Sequence, residues 1–181
     1  MNTPQGERRV AQGGSSMIEV LVTLVIVAFG LLGLAGFITR ANAMGVESNQ
    51  RARALALMED MAERLRNNKN QAANYVSSTA VRGGAALDCT GLAAANLDLC
   101  EWNNTLFGTN DAMTSGATQA LRFRGCVTQP FVGQPVYVVT VAWASAMSAT
   151  PPADACATGE FGDDSFRRVV RTQIRIAALA A

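Results

Sequence analysis

Glu19 stands immediately before a run of residues, 20–39, that carries no charge. A carboxylate at hydrocarbon depth costs about 2.5–3.5 kcal/mol at the centre of a helix on insertion scales, and less near an end, so it calls for a partner. If the chain is cut after Gly14, a free amine appears at Ser15, one helical turn from Glu19 and on the same face. That amine, or the amine of a neighbouring chain, can neutralise the carboxylate. The second chemically capable set is the four cysteines, at 89, 100, 126 and 156. An even number, all beyond the apolar run, points to two disulfides in an oxidising compartment. Three connectivities are open to them. We favour Cys89 with Cys100 because that pair is local, which leaves Cys126 to reach Cys156.

The remaining chemistry is sparse. There is no histidine, and Lys69 is the sole lysine. The commonest general base and the commonest zinc ligand are therefore absent. No C-x-x-C spacing and no G-x-S-x-G occurs, and Asp88, Asp98 and Glu101 show no metal-like spacing. Asp163-Asp164 could meet calcium, an oxygen-seeking ion, but we read the pair as solvated. The Asn103-Asn104-Thr105 triplet fits a glycosylation pattern that we attribute to chance. These features argue against an enzyme, and no cofactor and no metal is expected. The formal net charge of +1 gives no strong pull toward nucleic acid or anionic lipid.

The elements that must position Glu19 are legible. At ~1.5 Å per residue, the run 20–39 is long enough to cross roughly 30 Å of hydrocarbon. A short leader, 1–14, carries Arg8 and Arg9, which favours an N-terminus held in the cytoplasm and a C-terminal domain outside it. A removed secretory signal would end in a cleavage site after its apolar stretch. Here that stretch passes directly into a helical pattern. Ala54, Leu57, Met58, Met61 and Leu65 recur at three- and four-residue steps on one face. Asp60 and Arg64 form an i,i+4 pair on that helix. The pattern predicts an end near Asn67-Asn68 and a helix on the order of 80 Å long.

The segment Gly13-Gly14-Ser15-Ser16-Met17-Ile18-Glu19-Val20-Leu21 resembles a prepilin cleavage motif. That motif has a glycine before the cut, a short tetrapeptide, a glutamate, and then a run of Leu, Val and Ile. Family members usually begin the mature chain with phenylalanine or methionine, where Ser15 stands here. The continuation through Gly36 is similar to the PilV type of minor pilin, also called type IV pilus modification protein. The resemblance implies that a prepilin peptidase cuts between Gly14 and Ser15 and methylates the Ser15 amine. It implies that Glu19 guides docking into a growing pilus of the kind used in adhesion and twitching motility. Implied partners are other minor pilins, the major pilin and an inner-membrane assembly platform. The implied location is the bacterial inner membrane as a single pass, with the head periplasmic, and then the extracellular pilus. A pseudopilin of type II secretion shares these features and is the alternative. A pilus-tip adhesion or DNA-uptake module is a further one.

Gly30, Gly33 and Gly36 interrupt the apolar half, each at about 1 kcal/mol relative to alanine. They serve either close helix packing or local loosening of the helix. The expected organisation is a leader over 1–14, an apolar membrane or filament-core half over 15–39, an amphipathic half over 40–67, and an extracytoplasmic head over 68–181. Residues 69–120 read mostly as loop, with Gly83, Gly84 and Gly116 as breakers. Strands are expected at 121–128, 136–144 and 166–176 from period-two alternation or continuous apolarity. The fold class is α+β, with the long helix packed on an antiparallel sheet. Arg122, Arg124, Arg167, Arg171 and Arg175 are expected to point outward. We read them as a solvated face that discourages edge pairing rather than as a DNA-binding patch.

Overall fold

The computed structural model describes residues 16–76, 81–108 and 123–176. The leader, the Gly14/Ser15 junction, Leu121 and Arg122 lie outside the described residues. Two compact units divide the chain, Met1–Asn42 and Ala43–Ala181. Helix α1, Met17–Asn67, is 51 residues long.

Within the first unit the helix is exposed at every described position. Its large apolar side chains include Phe29 at 70 % and Phe37 at 69 % exposure. The helix is long and apolar enough there to cross a membrane.

The second unit has its own core. From Gln50 onward α1 buries Ala54, Met58, Met61, Ala62 and Leu65, the three- and four-residue stripe that a helix lays against a neighbour. A 3-10 segment, Lys69–Tyr75, follows. Helix α2, Ala94–Phe107, comes next. Strands β1 (Arg124–Thr128), β2 (Val136–Ala144) and β3 (Arg167–Arg175) complete the unit. The strands form an antiparallel meander in the order β1-β2-β3. Gly125 faces Val141 across the first pair, and Thr140 faces Arg171 across the second. Tyr137, Val139, Val141 and Trp143 on β2 join the stripe of α1 and the buried side of α2 in one core. This is an α+β fold, a long N-terminal helix packed with a C-terminal three-stranded antiparallel sheet.

Three expectations need correction. Among the described residues of 69–120, α2 and the 3-10 segment stand where only loop was expected. Three asparagines lower the helix propensity of α2, and Ala93 at its N-cap makes no side-chain bond. Burial of Ala95, Leu99, Trp102 and Leu106 holds it instead, on one face at four-, three- and four-residue steps. Second, β1 begins at Arg124 rather than earlier. Phe123 precedes the strand and donates its amide to Leu106 O at 3.3 Å. Phe166 likewise belongs to a 3-10 turn, and β3 begins one residue later.

The third correction concerns the arginines. Arg124 and Arg167 alternate out of the α-helical side of the sheet, yet they are 8 % and 2 % exposed. The segment 145–166 lies over that face. Cys126, Ala142, Cys156 and Ala157 form a second small core there, flanked by Phe161 and Val169. Arg171 and Arg175 remain exposed.

Candidate functional site

The first turn of α1 places Glu19. Ser16 starts the helix, its carbonyl accepting the Glu19 amide at 2.9 Å and its hydroxyl accepting the Ile18 amide at 3.4 Å. An acidic side chain in a first turn also suits the positive end of the helix dipole. Beyond Glu19 the only side-chain hydroxyls before Arg40 return their protons to the helix itself. Thr23 donates to Val20 O at 2.8 Å and Thr39 donates to Ala35 O at 3.0 Å. That leaves the surface over 20–39 with no unmet hydroxyl, which is what hydrocarbon demands. The helix continues through Gly30, Gly33 and Gly36, and a Cβ built on each meets nothing within 4 Å. Among the described residues, no contact requires a glycine at these three positions.

In the second unit, α2 is fastened to α1 by polar bonds. The indole Nε1 of Trp102 donates to Leu57 O at 2.8 Å. Arg64 gathers three carboxylates, Asp60 at 3.2 Å, Asp98 at 3.1 Å and Glu101 at 2.7 Å. Burial alone would lower the Arg64 pKa, but these bonds outweigh it and hold the guanidinium above its ordinary value. Tyr75 donates to Asp98 and accepts from Asn68 Nδ2 at 3.1 Å. Burial, together with the adjacent Asp98 carboxylate, pushes the Tyr75 hydroxyl up to about 12.

Disulfides join Cys89 to Cys100 and Cys126 to Cys156, with Cα separations of 5.7 and 5.9 Å. The first ties α2 to the loop before it, and the second ties β1 to the segment over the sheet. Asn103 is buried, with its amide spent on Gly83 N and Ala85 O, both at 2.7 Å. It is a structural bracket and unavailable for glycosylation. Asp163 accepts from Ser165 N, and Asp164 accepts from Gly159 N and pairs with Arg167. These bonds hold the Asp164 carboxyl below the usual range, Gly159 being the leading cause. Among the described residues no group of three or more His, Cys, Asp or Glu could hold a metal. The Asp60–Arg64 pair was expected, but the reach of Arg64 to Asp98 and Glu101, the roles of Tyr75 and Trp102, and the burial of Arg167 were not. The stripe Ala95, Leu99, Trp102, Leu106 was the signal that could have located α2.

A family model described as Tt1218-like, type IV pilin Tt1218, matches residues 38–105. The match supports a type IV pilin. It runs from the end of the uncharged helix through Arg64 and the Cys89–Cys100 loop into α2. No curated protein matches the chain, and no solved structure matches it. Pilins are structural subunits that assemble with other pilins, and a pilin domain with one apolar N-terminal helix fits a membrane-anchored pilus subunit.

Proposed function

We propose that the chain is a minor pilin of the PilV type. In this reading it is made as a prepilin, cut between Gly14 and Ser15, methylated at Ser15, and built into a type IV pilus alongside other minor pilins and the major pilin. The observation that carries the reading is the two-part character of α1. Over 17–42 it exposes every residue, while from Gln50 on it buries one stripe in a folded head. An exposed apolar surface of that extent needs lipid or protein around it. A filament subunit that waits in a membrane meets both. Glu19 is the docking carboxylate, matched to the Ser15 amine of its own or a neighbouring chain. The leader, the apolar half over 15–39, the amphipathic half over 40–67 and the head over 68–181 then have separate tasks.

N-terminal sequencing of the protein from pilus-producing cells tests the processing step. It should begin at methylated Ser15, and a chain still beginning at Met1 ends the proposal. Glu19→Ala should leave the subunit in the inner membrane and deplete it from sheared pili. Deletion of the subunit should lower the number of surface pili while the major pilin is still made.

A further inference from the structure

We propose that segment 145–166 is a strap held shut by buried arginines, so that it covers the sheet with or without the Cys126–Cys156 bond. The proposal does not depend on the filament reading. The strap leaves β2 at Ser145 and enters β3 after Phe166, and its two ends are tied to each other. Ser145 N donates to Phe166 O and Ala149 N donates to Ser165 O, both at 2.8 Å.

Arg167 grips the middle. Its Nη1 donates to Asp154 O at 2.7 Å and to Cys156 O at 3.0 Å, and its Nη2 donates to Pro152 O at 3.1 Å. Asp164, 3.2 Å from Nε, supplies the counter-charge. A guanidinium keeps its proton in proteins and carries five N–H donors in a fixed fork. One side chain thereby collects three carbonyls from five residues of strap, each through a charge-assisted bond. Asp154 adds a second grip, its carboxylate accepting from Cys156 N at 2.9 Å and from Thr140 Oγ1 on β2 at 3.3 Å. Arg124 adds a third. It pairs with Glu160 at 3.2 Å and lies 5.8 Å over the Phe161 ring.

Cys156 is thus fixed through its own N–H by Asp154 and through its own carbonyl by Arg167. These bonds set its sulfur opposite Cys126, and none of them needs the disulfide. The strap presents the same outer surface in the dithiol and disulfide forms, and the bond locks a shape that the arginines already impose.

Hydrogen–deuterium exchange of the full chain in detergent, read by mass spectrometry on strap peptides, tests this. In the C126S/C156S variant, strap exchange should stay within ~3-fold of the parent chain, as expected for a segment whose local opening is set elsewhere. In Arg167→Gln, with both disulfides intact, strap exchange should rise by ~30-fold or more. Protection in α2 peptides reports whether that variant folds, and where it does not, the serine pair decides alone. A strap that exchanges like unstructured chain in the serine variant overturns the proposal. So does an unchanged strap in a folded Arg167→Gln protein.

Discussion

The ring of Trp102 on α2 lies where a side chain on Gly125 of β1 would have to be. A Cβ built on Gly125 sits 2.2 Å from the ring carbon Cη2 and 2.7 Å from Leu106 Cδ1. Both side chains are fully buried, so the helix docks on the strand only because that strand position is bare. Gly125→Ala should therefore push α2 off β1. Overpacking in a closed core costs typically 1–3 kcal/mol, and the contact here is short enough to place the loss near the upper end, about 3 kcal/mol. Urea unfolding of the purified chain, followed by tryptophan fluorescence, measures it. A midpoint equal to that of the parent chain would mean that α2 docks in some other way.

The Arg64 cluster predicts a coupling between the helices. Its side chain is 25 % exposed, and the carboxylates around it are 26–48 % exposed, so solvent weakens each pair. Arg64→Met should destabilise the chain by about 1–2 kcal/mol, because hydrogen bonds to charged groups are lost while their partners stay in place. A cycle with Asp98→Asn should return a coupling of roughly 0.5–1 kcal/mol for that single pair. Strictly additive losses would show that the contact contributes nothing.

The hydroxyl of Tyr75 offers a readout on pH. A free tyrosine ionises near 10 in the unfolded chain, whereas the folded protein holds this one up to about 12. Below 10 both states are protonated, and the contribution of Tyr75 to stability is complete. Between those two values the unfolded chain loses its proton first, so stability must fall as pH rises through this window. Above the folded value no further loss comes from this group. Tyr75→Phe should flatten that part of the stability profile and remove the later phenolate step from the absorbance titration at the wavelength of tyrosinate. If the variant titrates like the parent, the tyrosine is ordinary in the fold.

What the sequence made legible follows from which physical signals are local. The stripe on α1 and the alternation of β3 are periodicities within one element, and β2 reads as central because it is apolar on both sides. Helix α2 was missed because Asn96, Asn103 and Asn104 argue against a helix when propensity is read residue by residue. Asn103 is there to bridge Gly83 and Ala85, a tertiary task that no local pattern reveals. Arg124 and Arg167 were placed on the face opposite α1, but a period of two says which side a residue takes and not what lies over it. The strap that buries them comes from a stretch with two adjacent prolines and little periodicity. Glu19 draws notice for the opposite reason, since a charge at the edge of an uncharged helix stands out without any fold at all, and its docking role is the proposal that the Glu19→Ala variant tests.

The bond between Cys89 and Cys100 should matter to a different region than the strap does. Cys100 lies on the buried side of α2, and Cys89 lies in the loop that α2 grows from. That loop is also held by Asn104, which accepts from Leu87 N and donates to Leu87 O, both at 2.8 Å. The sequence separation of 11 closes a short loop, for which chain entropy gives about 2.5–3 kcal/mol. Cys89→Ser with Cys100→Ser should lower stability by about 2–3 kcal/mol, with part of the loop retained through Asn104. Limited proteolysis separates the local effect from the global one. New cuts should fall within 84–93 before any fall in the strap or the sheet. Cuts that begin in the strap instead would show that the two disulfides act on one cooperative unit.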